Sequence, residues 1–332
     1  MKTCIIGTGA ISGTHLSALK KINAEIVGLC DVDERKARKK AVEFSLSCPI
    51  FTDYKKMLDA VCPDVVHVCT PHYLHAEMVC YALGKNINVL SEKPVCINFE
   101  QLSALKNARE KSSAHYGVCF QNRYLAANRE ANREVKSSKI FGASGAVVWN
   151  RGADYYASGE WRGKWATEGG GVLINQSIHT LDLIVNALGL PVAVKAEMKN
   201  EHLKGVIEVE DFAFITLKYP DFTATFTATT AGAESYPVVT SFYTDKGIIE
   251  TRGDALIVNG KESAASKEAR LSGKTEWGAG HEMLIADFYD AVKENRPVSC
   301  DFLGCLDTMK TVLAAYESAK TDEEIFTENI KL

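Results

Sequence analysis

The sequence predicts an α/β chain in two parts, a doubly wound parallel sheet followed by an α+β domain built on a large, mostly antiparallel sheet. Three observations carry this. A short apolar strand, Lys2 to Ile6, runs into the glycine turn Gly7-Thr8-Gly9 and then into helical periodicity through Leu16, Leu19 and Ile22. Strand and helix patterns alternate steadily up to Phe120, with connections short enough for right-handed crossovers. Beyond Phe120 the alternation stops, and long strands separated by turns such as Pro220-Asp221 and Asp245-Lys246-Gly247 take over. The boundary is expected near residue 121, dividing the 332 residues into 1–121 and 122–332, lengths that suit two cores.

The first turn has the order a dinucleotide site needs. Gly7 can take the backbone angles of a tight turn, Gly9 lets the chain approach a pyrophosphate, and the N–H groups of Ala10 and Ile11 at the helix start favour its negative charge. This makes 1–121 an expected NAD-binding Rossmann domain. The third glycine position holds Ser12, with Gly13 one residue late, so looser packing of helix on strand is expected there. The second strand, Ala24 to Cys30, ends at Asp31, placed to hold an adenosine ribose and to repel the extra phosphate of NADP. Arg35 and Lys36 follow closely and keep NADP open. The alternative for Asp31 is an N-cap of the helix that begins near Asp33.

Ligands of open parallel sheets sit at the carboxyl ends of strands. One such end is Thr70-Pro71-His72, after Val65 to Cys69; another is Ser91-Glu92-Lys93-Pro94, after the apolar run Ile87 to Leu90. Thr70, Pro71, His72, Glu92 and Lys93 are therefore expected to border the cofactor. Alone, Ser91 to Pro94 reads first as a solvated strand end with a proline stop. His75, inside a helix start, reads as structural.

Taken together, GTGAISGTH, TPHYLH and SEKP resemble the Gfo/Idh/MocA oxidoreductases, the group that contains glucose-fructose oxidoreductase and inositol dehydrogenase. The resemblance extends over essentially the whole chain. It implies that Lys93, the lysine of the Glu-Lys-Pro motif, lies between nicotinamide and substrate and is catalytic.

In the second half Arg123 follows the last strand of the first sheet and is a candidate substrate contact. An aromatic and charged loop runs from Tyr155-Tyr156 through Trp161-Arg162-Gly163-Lys164-Trp165. Tyr156, Trp161 and Arg162 suit stacking on a sugar ring and bonding its hydroxyls; the alternative is that the tryptophans pin the loop to the core. A helical run from Val172 to Leu188 then carries Asn175, His179 and Asp182 at i, i+4 and i+7, a polar stripe on an apolar helix. This segment resembles the family's Asp-x-Gly-x-His-x-x-Asp motif, whose histidine is the usual acid/base and here is His179. Asn175 replaces the first aspartate. An amide cannot take a proton, so Asn175 is expected only to orient, leaving more of the electrostatic work to Lys93. The form of the segment is closest to members acting on glycosides or nucleotide-sugars, some of which oxidise the sugar at C3.

Net charge is −4 and no basic track is present, which argues against nucleic acid. The ten cysteines include no Cys-x-x-Cys pair, so reduced thiols are expected, without disulfides or a metal. No apolar run is long enough to span a membrane, and the opening residues lack a signal-peptide pattern, so a cytoplasmic location is expected. Apolar residues on both faces of Phe212 to Tyr219 point to a homodimer or homotetramer packed through the second sheet. The expected activity is an NAD-dependent sugar, glycoside or polyol dehydrogenase acting on a CH–OH group, with His179 taking the hydroxyl proton and Lys93 stabilising the developing alkoxide. Two rivals stand beside it: a glycosidase that retains NAD and oxidises transiently, and a non-catalytic NAD-binding sensor.

Overall fold

The computed structural model describes residues 1–263 and 280–332. The chain forms two compact units. The first comprises Met1–Cys96, Glu100–Cys119 and His281–Leu303; the second comprises Ile97–Phe99, the described part of Phe120–Gly280, and Gly304–Leu332.

Six parallel strands form the first sheet: β1 (Lys2–Ile6), β2 (Glu25–Cys30), β3 (Ile50–Phe51), β4 (Val65–Val68), β5 (Asn88–Ser91) and β6 (Tyr116–Val118). Their order is β3-β2-β1-β4-β5-β6. The order reverses between β1 and β4, the point where open α/β sheets bind ligands. Helices α1 (Ala10–Lys21), α2 (Glu34–Glu43), α3 (Tyr54–Val61), α4 (His72–Gly84) and α5 (Phe99–Lys111) are the crossovers. The central strands are covered on both faces, with Ile5, Val66, Val89 and Leu90 fully buried, which explains their unbroken apolar runs.

The second unit is built on nine strands: β7 (Ile140–Val148), β8 (Ala193–Lys199), β9 (Phe212–Lys218), β10 (Thr223–Thr229), β11 (Val239–Thr244), β12 (Gly247–Arg252), β13 (Ala255–Val258), β14 (Lys261–Glu262) and β15 (Ile325–Phe326). All pairings are antiparallel except β7 with β10. The remaining helices are α6 (Ala126–Lys136), α7 (Ala153–Ala157), α8 (Ile178–Leu188), α9 (Gly280–Glu294) and α10 (Leu306–Thr321). Alternation sets which face of the sheet is buried: Ala213, Ile215 and Leu217 of β9 are wholly covered while Phe214 is exposed. Helix α8 packs on β7 at Gly145, where a side chain would sit 2.6 Å from Ile184.

Three features depart from the sequence reading. Residues 281–303 return to the first unit, so 122–332 is not one continuous block. The reason is long-range packing: Phe288 of α9, fully buried, fills the space a side chain on Gly117 of β6 would need, 2.7 Å away. Such a contact leaves no local periodicity. Secondly, Val172 to Leu188 is two pieces, a π-helical turn at Val172–Ser177 followed by α8. Finally, β8 was not anticipated, although its Lys195, Glu197 and Lys199 alternate with Val194, Ala196 and Met198.

Candidate active site

The first unit places a cofactor cradle at the carboxyl end of β1. Gly7 has φ +87°, and a side chain there would meet the Cys69 carbonyl oxygen at 2.6 Å. Only glycine fits both demands. Gly9 has open space where a Cβ would point, and it caps α1 without any side-chain hydrogen bond. The amides of Ala10 and Ile11 therefore open a helix N-terminus that no side chain closes, which fits a pyrophosphate. Ser12 does not loosen the packing: it is fully buried and its hydroxyl donates to the Gly9 carbonyl at 2.7 Å.

Asp31 is half-buried at the end of β2. Its Oδ2 accepts from the Thr8 amide and hydroxyl, both at 2.9 Å, and its Oδ1 accepts from the Asp33 amide at 3.0 Å. The N-cap of α2 is Asp33, not Asp31. Arg35, one of the two groups that kept NADP open, forks onto the Asp33 carboxylate with both bonds at 3.0 Å. The donor set thus fits a ribose held by a carboxylate.

At the end of β4, Thr70 precedes Pro71, the N-cap residue of α4, and buried His72 opens that helix. His75, one turn on, is wholly buried; its Nε2 lies 2.7 Å from the Thr70 carbonyl and its Nδ1 lies 2.6 Å from the Pro94 carbonyl. The ring thereby ties the turn after β4 to the turn after β5. Burial lowers its pKa. The Lys93-Pro94 bond is cis, the Glu92 amide donates to the Val68 carbonyl at 2.9 Å, and Lys93 is part-exposed at this strand end. Glu92 was expected at the cofactor and is not: it is 6% exposed and turns inward to His15 and His281. A charged group in a core must find partners there.

In the second unit His179 is half-buried on α8. Gln121 Nε2 lies 3.3 Å from His179 Nε2, and the Phe120 ring meets the imidazole edge to face, with centroids 5.9 Å apart. Asn175, in the π-helical turn, donates from Nδ2 to the Tyr155 hydroxyl at 3.2 Å and to the carboxylate of Glu168. Glu168 is fully buried and also accepts from the Gly163 amide. A carboxylate therefore does stand beside position 175, supplied from seven residues upstream. Arg162 bonds the same Tyr155 hydroxyl at 2.6 Å and lies 4.5 Å from the ring centroids of Tyr155 and Trp161. The turn itself is anchored by Glu210, whose carboxylate accepts from the Gly171 and Leu173 amides and from Tyr316.

Three residues expected at the substrate are engaged within the protein. Tyr156 packs into a core with Leu203, Ile207 and Val209, and its neighbour Tyr155 takes the polar role. Asp182 is 1% exposed, with Oδ1 accepting from Arg123 Nη2 at 2.6 Å and Thr308 at 2.7 Å, and Oδ2 from Arg123 Nε at 2.7 Å. Arg123 and Asp182 thus spend their charges on each other. Asn175 lies in the π-helical turn and bonds Tyr155 and Glu168, while Asp182 lies on α8 and bonds Arg123 and Thr308. Sequence reasoning missed Tyr155 and Glu168. A glutamate before a glycine run is the one available signal, and it has no spacing rule.

Comparison with known proteins follows this geometry. Residues 1–120 match the profile of an oxidoreductase family with an NAD-binding Rossmann fold, and residues 129–250 match the GFO/IDH/MocA C-terminal domain. The chain is 35% identical to glucose-6-phosphate 3-dehydrogenase of Bacillus subtilis over 126 residues, 38% of this chain and 35% of that protein. It is 29% identical to D-glucoside 3-dehydrogenase of Escherichia coli over 201 residues, 59% of this chain and 56% of that protein. These matches thus span about a third to a little over half of the relatives' lengths. The WlbA dehydrogenase of Bordetella pertussis, solved with NADH and UDP-GlcNAcA, superposes with a TM-score of 0.84 at 22% identity over 98% of both chains, which shows the shared fold. The chain belongs to the Gfo/Idh/MocA oxidoreductase family, and its first unit is that family's NAD-binding Rossmann domain.

Proposed function

We propose that the protein is an NAD-dependent dehydrogenase that oxidises a secondary hydroxyl of a sugar or glycoside. The observation that carries this is in the first unit: β1 and β5 are parallel strands of one sheet, so Lys93 ends β5 on the same edge that bears the Gly7-Gly9 cradle. The 3-dehydrogenases among the relatives favour C3 of a hexose as the oxidised carbon. Bound NAD supplies the hydride acceptor. His179, whose imidazole has the side-chain pKa nearest neutrality, takes the hydroxyl proton. Lys93, as an ammonium, serves to stabilise alkoxide character as the hydroxyl is oxidised. Asn175 and Arg162, joined through Tyr155, hold neighbouring hydroxyls.

A screen of NAD reduction against sugars, glycosides, inositols and nucleotide-sugars tests this, repeated with NADP. Lys93→Met and His179→Ala should each lower kcat by at least about a hundredfold with NAD affinity kept. Near-normal turnover in either variant, or glycoside cleavage without net NADH, refutes the proposal.

The solvent face of the second sheet supports self-association. It exposes Phe214, Tyr243 and Ile248 among threonines of β10, apolar side chains that a second copy would cover. A monomer in sedimentation at micromolar concentration would rule this out.

A further inference from the structure

One cluster in the first unit has no part in the proposed reaction. Helix α1 brings His15, the residue after β5 is Glu92, the residue after β6 is Cys119, and α9 opens with His281. His15 Nε2 lies 2.9 Å from Glu92 Oε1, and His281 Nε2 lies 3.2 Å from the same oxygen. Cys119 Sγ is 4.0 Å from His15 Nε2. Relative exposures are 0% for His15 and Cys119, 6% for Glu92 and 3% for His281. The three histidine and glutamate ligand atoms all lie within 4.8 Å of one another.

We propose that His15, Glu92, Cys119 and His281 form a buried four-coordinate site for a divalent transition metal of the zinc class, which staples α1, the ends of β5 and β6, and α9 together. Tetrahedral zinc with nitrogen and oxygen ligands at about 2.1 Å and sulfur at about 2.3 Å sets ligand atoms roughly 3.3 to 3.6 Å apart. The separations of 2.9 and 3.2 Å from Glu92 Oε1 come close to that spacing among His15, Glu92 and His281, the preformed set; Cys119 Sγ, 4.0 Å from His15 Nε2 and outside that set, moves in as the fourth ligand on binding. Charge also balances: one glutamate carboxylate and one thiolate neutralise a divalent ion, which a buried site requires. Outside the ligands, His15 Nδ1 is 2.7 Å from His67 Nδ1, His67 Nε2 is 3.0 Å from the Tyr289 hydroxyl, and that hydroxyl is 2.8 Å from Thr3 Oγ1. Such a chain fixes the ring orientation and tautomer of a metal-binding histidine. The set escapes sequence inspection because its four ligands come from four distant segments with no Cys-x-x-Cys pair.

The rival is a metal-free network in which both imidazoles donate to Oε1. Tag-free, full-length protein from zinc-supplemented growth should hold about one zinc per chain by elemental analysis. After chelation, titration with Co²⁺ should give the visible bands of four-coordinate cobalt and a near-ultraviolet thiolate band. Cys119→Ser should lose the thiolate band and keep the visible ones, and His281→Gln should weaken cobalt binding at least about tenfold. Folded wild-type protein with no zinc and no cobalt spectrum overturns the proposal, as does a spectrum unchanged in both variants. None of these readouts uses turnover, so they stand apart from the test of the dehydrogenase.

Discussion

Asn175 donates its side-chain amide to the carboxylate of Glu168, in a part of the second unit where Glu168 is fully buried and Asn175 only 8% exposed. The amide is matched to an anion. Restoring the family's aspartate by Asn175→Asp would set two carboxylates against each other with a donor lost. We expect the melting temperature to fall by about 5 °C or more. The new carboxyl would have a raised folded pKa, so its deficit should grow as pH rises through that pKa. Adding Glu168→Gln should recover part of the loss. Equal melting of wild type and Asn175→Asp at acid and alkaline pH would show that the pair is not closed.

Local rules explain why much of this was legible. Strand β1 runs from Lys2 to Ile6 as its apolar run predicts, and Gly7 does what a strand-to-helix turn demands. What stayed hidden depends on partners distant in sequence or on irregular backbone. His67 sits in an apolar run and reads as a strand residue, yet its meaning lies in His15 and Tyr289. Tyr155 and Tyr156 are adjacent, and only the fold decides that one enters the core while the other bonds Arg162 and Asn175. The π turn at Val172–Ser177 departs from the 3.6-residue repeat on which the i, i+4, i+7 spacing of Asn175, His179 and Asp182 was read.

Asp182 and Arg123 test that distinction directly. If the pair is structural, Asp182→Asn leaves a guanidinium with 9% side-chain exposure short of its counter-ion. Breaking one side of a buried pair costs about 3–5 kcal/mol, readable as a lower denaturant midpoint. Arg123→Leu with Asp182→Leu together should cost less than the sum of the single changes. A raised KM with unchanged stability in Asp182→Asn would return the residue to the substrate.

Glu210 should give the stability a pH slope. Burial raises its carboxyl to about 7 despite the bonds from Leu173, Tyr316 and Gly171 that favour the ion. A raised folded pKa means the folded state holds the proton more tightly. Its contribution is present below the unfolded value of 4.5 and is lost as pH climbs through about 7. The stability of wild type relative to Glu210→Gln should therefore decline over that window. A difference that stays flat, measured by urea unfolding at several pH values, contradicts this.

The two glycines of the cofactor turn separate folding from binding. At Gly7 an added methyl meets the Cys69 carbonyl oxygen at 2.6 Å, and the backbone at φ +87° disfavours any side chain. Gly7→Ala should lose about 1–3 kcal/mol of stability and, with the turn displaced, NAD binding as well. At Gly9 the backbone has φ −68° and the Cβ position is empty to 4 Å. Gly9→Ala should therefore melt within about 2 °C of wild type, yet bind NAD at least about tenfold more weakly, because the methyl projects where the pyrophosphate must approach. Calorimetric titration with NAD beside thermal unfolding reads both quantities. If Gly9→Ala binds NAD normally, the open space beside Gly9 is not the pyrophosphate cradle, and the cofactor must lie along another part of the β1 end.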